Sequence, residues 1–329
     1  MGLKDILVAR QNLGNLVRNT PLRYSFLLSQ RVGSEVWLKL ENLQRTGAFK
    51  VRGAVNRIAG LSAAERSKGV VAPSSGNFSL GLAYAAHVLG SVPVNLFMPV
   101  HTPASKVDKL AQFGAKIFLV GEQYDDADDA SMEFQREHDL TYTNSFDDPL
   151  IIAGQGTVGL EIMEELPDAE ALLVPVGGGG LIAGISVAAK AINPNIKIIG
   201  VQVEASPSAY LSLKEGRCYE RYEHGPTICE GLAGGFGIVP FGIAKDLIDE
   251  VVLVNEEETR DAIFTLLEAE QLVVEGSGAV GVAALLFDKV NLKGRSVVAV
   301  LSGGNIGVDL LFEIVEEGLE RGGRRALGP

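Results

Sequence analysis

One lysine in an apolar segment has the surroundings that covalent chemistry requires. Lys50 lies in TGAFKVRGA (residues 46–54), beside Phe49 and at the start of a predicted helix. Apolar neighbours and the positive end of a helix both disfavour the ammonium form, so we expect a lowered pKa for Lys50. A neutral lysine amine can attack a carbonyl carbon and form a Schiff base. The alternative is a charged lysine exposed to solvent, as most lysines are.

Two glycine-rich segments follow predicted strands and suit an anion. Residues 177–181 read GGGGL between a strand at 171–176 and a helix, and residues 302–305 read SGGN after a strand at 296–301. Glycine lets successive N–H groups point into one concavity, and a helix N-terminus adds a positive dipole end. The spacing matches neither GxGxxG nor GxxxxGK[ST], so a phosphate group is favoured over a dinucleotide or a nucleoside triphosphate. Tight structural turns are the alternative for both segments.

A third polar segment, SSGNF at residues 74–78, follows a predicted strand at 68–72 and opens another helix. Hydroxyl and N–H groups at a helix start suit a carboxylate ligand. Ordinary helix caps explain the same residues equally well. The segment therefore indicates a ligand site only in combination with the lysine segment and the glycine-rich segments.

Apolar strand-like runs alternate along the chain with helix-like patterns. The predicted strands lie at residues 35–40, 68–72, 94–99, 116–120, 171–176, 196–203, 250–254 and 296–301. The predicted helices lie at residues 50–59, 77–89, 104–113, 124–138, 156–165, 181–192, 256–270 and 278–287. Several strands are nearly continuous in Val, Ile and Leu, which is typical of strands covered on both faces. The alternation predicts an α/β fold with open twisted, mostly parallel sheets that bind ligands at the carboxyl ends of their strands.

The composition indicates a globular chain with an acidic surface. Of 329 residues, 47 % are hydrophobic, and the net charge is −12. Negative charge repels phosphate backbones, so we expect no nucleic-acid partner. Two cysteines without a CxxC pattern, and a start without a secretion signal, predict a cytoplasmic protein. The uncharged stretch 171–189 is long enough to imitate a membrane helix, but its four glycines and Pro175 favour a buried strand, loop and helix.

Taken together, the motifs resemble those of fold-type II pyridoxal 5′-phosphate (PLP) enzymes, in particular the serine/threonine dehydratases (threonine ammonia-lyases) and serine racemases. The likeness spans roughly residues 15–310. It is carried, in the family's order, by ENLQRTGAFKVRGA (41–54), SSGN (74–77), DDPLIIAGQGT (147–157), PVGGGGLIAG (175–184), EGSGAVG (275–281) and LSGGN (301–305). The resemblance implies a tryptophan synthase β-like fold, with a small domain at 49–148 inserted into a large PLP-binding domain formed by 1–48 and 149–329. It also implies a homodimer or a higher homo-oligomer.

The resemblance further implies a role for each matching residue. Lys50 would bind PLP as a Schiff base and serve as the catalytic base, and Phe49 would pack on the ring face. Asn77 would contact the ring hydroxyl and Ser302 the pyridine nitrogen. The phosphate would be bound by the backbone N–H groups of Gly177, Gly178, Gly179, Gly180 and Leu181. Gly231 and Glu275 would border the cofactor, and the substrate would be bound by Ser74, Ser75, Asn77 and Phe78.

The implied reaction converts L-threonine, L-serine or a related 3-hydroxy amino acid to the 2-keto acid and ammonia. A neutral Ser302 would leave the pyridine nitrogen largely unprotonated, which favours prompt β-elimination over a long-lived carbanion. Two alternatives within the family are a serine racemase and a β-replacement enzyme of the cysteine synthase type. From a different class, the alternative is a non-catalytic phosphate- or nucleotide-binding protein that uses the glycine loops alone.

Three positions distinguish this chain within the resemblance. Phe78 stands where many dehydratases have histidine, so bulkier 3-hydroxy amino acids become plausible substrates. Ser75 resembles the racemase pattern, in which this serine is the acid/base on the opposite face. A racemase-type cation site would use Glu204, a carbonyl near Ser208 and a carboxylate where Tyr210 stands, so that site is doubtful. The chain ends in RGGRRALGP, and we expect no isoleucine-sensing regulatory domain.

Overall fold

A computed structural model describes residues 1–74, 76–102, 104–122 and 124–326. The strands are β1 (Leu22–Tyr24), β2 (Glu35–Lys39), β3 (Val70–Pro73), β4 (Val94–Met98), β5 (Lys116–Leu119), β6 (Thr141–Tyr142), β7 (Ala171–Pro175), β8 (Lys197–Val203), β9 (Glu250–Val254) and β10 (Ser296–Val300). The helices are α1 (Leu3–Leu13), α2 (Phe26–Val32), α3 (Lys50–Ala59), α4 (Ala63–Lys68), α5 (Asn77–Val88), α6 (Ala104–Ala111), α7 (Tyr124–His138), α8 (Pro149–Glu165), α9 (Gly180–Ile192), α10 (Ser208–Glu215), α11 (Ile238–Ala244), α12 (Glu256–Glu270), α13 (Gly276–Leu286) and α14 (Val308–Ala326).

The strands form two sheets. The larger has the order β1-β2-β10-β7-β8-β9, and its neighbouring strands are parallel except for the antiparallel pair β1 and β2. The smaller has the order β5-β4-β3-β6 and is parallel throughout. Helices flank both sheets, and every residue of β3, β4 and β7 is buried. The predicted α/β fold with two mostly parallel sheets is therefore confirmed.

The eight predicted strands and eight predicted helices all occur, and most of their ends shift by no more than two residues. The largest difference is α8, which begins at Pro149 instead of residue 156. Its start is fixed by Asp148, whose side chain accepts hydrogen bonds from the N–H groups of Leu150 and Ile151. A capping residue followed by proline is a helix-start signal, so the sequence contained the information for this boundary.

Helix α3, which begins at Lys50, is fixed by close packing against α8. A Cβ atom built on Gly53 of α3 would lie 2.9 Å from the carbonyl oxygen of Ile151, and one built on Gly154 of α8 would lie 2.6 Å from that of Arg52. Such separations leave no room for a side chain, so the two backbones approach as closely as glycine allows. The packing locks the position of the Lys50 backbone relative to the larger sheet.

Buried charges join the same elements. The Arg52 guanidinium, which has no exposed surface, lies 2.7 Å from the Glu41 carboxylate and 2.6 Å from that of Glu161. Lys39, also fully buried, lies 2.7 Å from Glu161. Burial alone raises the pKa of Glu41, but the charge and hydrogen bond of Arg52 outweigh it, so that pKa is lowered overall. Two buried cations and two buried anions thus lie together between β2, α3 and α8, and the exposed Glu165 carboxylate lies 3.8 Å from Lys39.

The uncharged stretch at 171–189 forms β7, the glycine loop and most of α9, all of them buried apart from a partly exposed Gly178. Throughout the described part of the chain, no helix has both the length and the apolar composition that crossing a bilayer requires.

Candidate active site

The amine of Lys50 is held near the carboxyl ends of the strands. Its Nζ donates a hydrogen bond to the carbonyl oxygen of Ser145 at 3.1 Å and lies 5.4 Å from the centre of the Phe49 ring. Burial lowers the pKa of Lys50 to about 8, although the negative charge of Glu275 opposes the shift. With that pKa, about one tenth of the amine is neutral at pH 7. The expectation of a lowered pKa at Lys50 therefore agrees with the structure.

The Ser145 carbonyl is presented by a turn that the sequence analysis missed. The side-chain oxygen of Asn144 accepts hydrogen bonds from the N–H groups of Phe146 at 3.0 Å and Asp147 at 2.9 Å. Asp147 in turn accepts a hydrogen bond from the N–H of Val239 at 2.8 Å. An asparagine that binds backbone N–H groups two and three residues ahead is a common local turn, so NSFDD was an available signal.

The predicted glycine loop connects β7 to α9 as the sequence indicates. Gly179 has a φ of +90°, a left-handed conformation that favours glycine. A Cβ atom on Gly178 would lie 2.3 Å from the Phe146 ring, and one on Gly179 would lie 2.1 Å from the Phe236 ring. Aromatic side chains thus fill the space on one side of the loop. A residue larger than glycine therefore does not fit at position 178 or 179.

The backbone N–H groups of the same loop are available to a ligand. Within the described residues, the N–H groups of residues 177 to 181 donate to no backbone or side-chain acceptor. These residues are buried except for a partly exposed Gly178, and the last two form the first turn of α9. Free N–H groups at a helix N-terminus bind anions, and a phosphate fits both their number and their charge.

Two further loops meet the glycine loop. A Cβ atom on Gly177 would lie 2.4 Å from the carbonyl oxygen of Gly231, whose N–H donates to the Ser277 hydroxyl at 3.0 Å. The Ser302 hydroxyl donates to the carbonyl oxygen of Ser277 at 3.3 Å, and the Phe49 N–H donates to that of Ser302 at 3.0 Å. These contacts form a continuous path from the glycine loop to the residue that precedes Lys50.

Polar side chains meet at the start of α5. The Asn77 amide nitrogen donates to the Glu275 carboxylate at 2.7 Å. The Asn305 amide nitrogen donates to the side-chain oxygen of Asn77 at 2.7 Å and to the carbonyl oxygen of Thr46 at 2.8 Å. Segments far apart in the sequence thus come together around the amide of Asn77.

Comparison with known proteins identifies the family. The model of the family described as pyridoxal-phosphate dependent enzymes matches residues 13–303. The chain belongs to this family. It is similar to the L-threonine ammonia-lyase of Thermotoga maritima, with 49 % identity over 98 % of this chain and 80 % of the relative. It is also similar to the catabolic L-threonine dehydratase of Escherichia coli K12, with 39 % identity over 95 % of this chain and 96 % of the relative.

Solved structures give the same result. The serine racemase of Dictyostelium discoideum aligns with a TM-score of 0.88 and 34 % identity over 94 % of this chain and 99 % of that one. The processed isoform 2 of threonine deaminase from Solanum lycopersicum aligns with a TM-score of 0.90 and 36 % identity over 95 % and 86 % of the two chains. The fold-type II family of dehydratases and racemases, and the dependence on PLP, are thereby confirmed.

The residues fit the cofactor of this family. An amine with a lowered pKa suits the PLP aldehyde, and the free N–H groups at 177 to 181 suit its phosphate. The structure brings the following predicted cofactor residues together through direct or bridged contacts: Phe49, Lys50, Asn77, Gly177, Gly178, Gly179, Gly180, Leu181, Gly231, Glu275 and Ser302. Their individual roles toward PLP stay predictions.

The predicted substrate-binding residues adjoin this cluster. The N–H of Ser74 donates to the carbonyl oxygen of Phe97 at 3.0 Å, which holds Ser74 at the end of β3. Ser75 lies outside the described residues. Phe78 is 2 % exposed and packs in the apolar core of the smaller sheet with Val51 and Leu82. Contact of these residues with a substrate stays a prediction.

The positions considered for a cation follow the carboxyl end of β8. Glu204 is exposed, and its N–H donates to the carbonyl oxygen of Val254 at 2.9 Å. The Tyr210 N–H donates to the side-chain oxygen of Gln202 at 3.1 Å. Over the described residues, no group of three or more His, Cys, Asp or Glu side chains is arranged to hold a metal ion.

Proposed function

We propose that the chain is a threonine ammonia-lyase that converts L-threonine, L-serine or a related 3-hydroxy amino acid to the 2-keto acid and ammonia. One observation carries the proposal. A lysine of lowered pKa binds the turn at Ser145, whose neighbour Phe146 packs against the glycine loop, in a chain that is 49 % identical to an L-threonine ammonia-lyase. The enzyme is therefore assigned to the lyases.

Lys50 supplies both the covalent anchor and the base. Its Nζ would hold PLP covalently and, in the neutral form, would accept the proton that leaves the substrate α-carbon. When bound, PLP withdraws the negative charge that develops at that carbon. The carbonyl oxygen of Ser145, at 3.1 Å, holds Nζ in place between these two tasks.

The remaining residues orient the cofactor and the substrate. With PLP bound, the N–H groups of residues 177 to 181 would hold the phosphate, and Phe49 would pack against the ring. Asn77 would donate to the ring oxygen, and the neutral Ser302 hydroxyl would serve the pyridine nitrogen. Ser74 and Ser75 bind the substrate carboxylate at the start of α5, where backbone N–H groups favour an anion.

The test is a substrate panel with the purified holoenzyme. L-threonine, L-serine, 3-hydroxyaspartate and phenylserine are each incubated with the protein, and 2-keto acid and ammonia are measured in equal amounts. The K50A protein is the control, and we expect it to release neither product. If no member of the panel gives keto acid, the lyase proposal is wrong. A thiol adduct formed from L-serine in place of keto acid would indicate a β-replacement enzyme.

A serine racemase is the second candidate, because the serine racemase of Dictyostelium discoideum aligns over 94 % of this chain. Ser75 would then act as the acid on the face opposite Lys50. Incubation with L-serine and chiral analysis for D-serine separates the two activities. We expect S75A to lose D-serine formation while it retains keto acid release.

We further propose a small domain at 49–148 within a large domain formed by 1–48 and 149–329. Support comes from the strands, since those of the smaller sheet all lie between residues 70 and 142, whereas those of the larger sheet flank that interval. Limited proteolysis followed by mass spectrometry tests the division. Ala48 is buried and pairs with Gly303, so we expect the first cuts in exposed loops of one unit while the strands of the other unit stay protected.

A homodimer or a higher homo-oligomer is supported by exposed apolar side chains on α14 and α2. Val308 is 80 % exposed, Phe312 68 % and Phe26 60 %. Large exposed apolar side chains in one region often mark an interface. Light scattering of the purified protein measures the oligomeric state.

The two free thiols, Cys218 and Cys229, suit a reducing compartment such as the cytoplasm. The net charge of −12 argues against a nucleic-acid partner.

A further inference from the structure

The amides of Asn305 and Asn77 form a hydrogen-bond relay with a defined direction. The relay runs from the carbonyl oxygen of Thr46 through Asn305 and Asn77 to the carboxylate of Glu275, with separations of 2.8, 2.7 and 2.7 Å. Both ends are oxygen atoms that accept hydrogen bonds. An amide side chain has an accepting oxygen and a donating nitrogen, so its orientation depends on its partners.

The two ends determine both amide orientations. The Thr46 carbonyl can only accept, so Asn305 must turn its nitrogen toward Thr46. The same nitrogen then donates to Asn77, which must present its oxygen to Asn305 and its nitrogen to Glu275. A rotation of either amide by 180° would place two oxygens, or two N–H groups, against each other.

The relay leaves Asn77 able to donate one more hydrogen bond. One N–H of its amide nitrogen is used by Glu275, and its oxygen is used by Asn305. The second N–H remains, and it can serve only an acceptor. Asn77 can therefore donate a hydrogen bond to an ionised ring oxygen, but its amide nitrogen cannot accept a hydrogen bond from a ring hydroxyl.

The Asn305 side chain is itself held firmly by the loop before Lys50. The N–H of Gly304 donates to the carbonyl oxygen of Gly47 at 2.8 Å, and Ala48 pairs with Gly303 in an antiparallel bridge. A Cβ atom on Gly47 would lie 2.6 Å from the Asn305 side-chain oxygen. Backbone contacts of the two residues before Asn305 thus restrict where its amide can move.

We propose that Asn305 is a positioning residue that sets Asn77 as a hydrogen-bond donor to the ring oxygen of the cofactor. It touches neither cofactor nor substrate and acts through Asn77 alone. The proposal rests on the proposed PLP site. It predicts that Asn305 controls the protonation state of the cofactor ring, because a donor at this position favours the ionised oxygen.

The test uses N305D, which is nearly the same size as the native side chain but lacks the donor. A carboxylate at 305 competes with Glu275 for the N–H groups of Asn77, so Asn77 becomes a weaker donor to the ring oxygen of the cofactor. The readout is the absorption spectrum of the unreacted holoenzyme, in which an ionised ring oxygen absorbs at longer wavelength than a protonated one. The band ratio is the absorbance of the longer-wavelength band divided by that of the shorter-wavelength band. We expect the band ratio to fall about fivefold and the Kd for PLP to rise about fivefold.

Controls separate this effect from charge and from misfolding. N195D adds the same charge at an exposed asparagine and is expected to leave the band ratio and the Kd unchanged. N305A removes the donor without adding charge, and its band ratio should fall in the same direction. The thermal midpoints of the apoproteins show whether each variant folds.

A double-mutant cycle tests whether Asn305 acts through Asn77. N77A should lower the band ratio, and N305D should add no further decrease in the N77A background. Additive effects, or an N305D spectrum like that of the wild type, would overturn the proposal. An unchanged N77A spectrum would overturn it as well.

These outcomes are independent of the lyase reaction because no substrate is present. A wild-type protein with a normal cofactor spectrum but without keto acid release would refute the proposed function and leave the relay testable. Keto acid release together with a wild-type spectrum of N305D would refute the relay alone.

Discussion

The reactivity of Lys50 depends on two opposing influences on one amine. Burial lowers its pKa to about 8, and the nearby Glu275 carboxylate limits the decrease. Because only the neutral amine attacks an aldehyde, we expect the rate of covalent PLP attachment to the apoprotein to rise with pH and to level off above about 8. Stopped-flow absorbance across pH 6 to 10 measures this rate, with pH values that bracket the pKa. A rate that still rises about tenfold between pH 8 and pH 9 would show a lysine of ordinary pKa.

The same pKa makes a prediction about stability. The unfolded chain keeps Lys50 protonated up to about its ordinary pKa of 10.5, whereas the folded chain loses the proton near 8. Burying the protonated Lys50 therefore lowers the unfolding free energy of the native state. This cost is present in full below pH 8 and disappears as the pH rises to 10.5. Relative to apo K50M, the wild-type apoprotein should gain up to about 3 kcal/mol in unfolding free energy over this interval.

Urea unfolding of both apoproteins at several pH values measures the difference. Packing differences between lysine and methionine contribute a constant that does not change with pH, so the slope is the informative quantity. A difference that is flat between pH 7 and pH 10.5 would contradict the lowered pKa.

At the scale of the elements, the glycine loop combines close packing on one side with free N–H groups on the other. A Cβ atom at Gly178 would lie 2.3 Å from the Phe146 ring, so G178A must move either the loop or the turn that presents Ser145 to Lys50. We expect the Kd for PLP to rise at least about tenfold, because several hydrogen bonds to phosphate depend on the loop geometry. Fluorescence titration of the apoprotein with PLP measures it.

Gly242 in α11 provides the matched control, since a Cβ atom there meets nothing within 4 Å. G242A should bind PLP like the wild type and should be slightly more stable, because alanine favours a helix over glycine. Equal PLP affinity of G178A and the wild type would show that the loop does not hold the phosphate.

Local patterns explain how much of these elements the sequence could predict. Continuous apolar runs marked the buried strands, and the four glycines before a helix marked the anion-binding loop. Strands β1 and β6 were missed because three and two residues are too short to show a period. Both are instead specified by their partners, for example by the pairing of Leu22 with Lys39.

Contacts between distant segments explain what the sequence could not predict. Lys50 and the Ser145 carbonyl are 95 positions apart, and Asn305 and the Thr46 carbonyl are 259 apart. Ser145 contributes a backbone atom, which no residue type reveals. Asn305 stood in a motif of the family resemblance, but its partners become visible only when the loops after β2 and β10 lie side by side.

At the scale of the whole molecule, buried charge connects the larger sheet to the helix that carries Lys50. Arg52 lies two residues after Lys50, and its guanidinium binds Glu41 after β2 and Glu161 on α8. Such a network adds little net stability compared with apolar packing, but the loss of one member leaves an unbalanced buried charge. The charge balance of this cluster thus couples the position of Lys50 to the stability of the fold.

Replacing Arg52 with methionine tests this coupling. R52M leaves the buried carboxylates of Glu41 and Glu161 with Lys39 as their single cation, which also pairs with the exposed Glu165, so the free energy of unfolding should fall by about 3–5 kcal/mol. The control is R10M, which removes the exposed Arg10–Glu164 pair and should cost less than about 1 kcal/mol.

The pH dependence of the R52M effect identifies its cause. The pKa of Glu41 is lowered in the native state, so the pairing stabilises the protein above the ordinary carboxyl pKa of 4.5 and is lost as the pH falls through the lower native pKa. The difference between R52M and the wild type should therefore shrink in acid, as urea unfolding at neutral and at acidic pH would show. A difference that stays constant would mean that lost packing of the long Arg52 side chain, rather than unbalanced charge, weakens the fold.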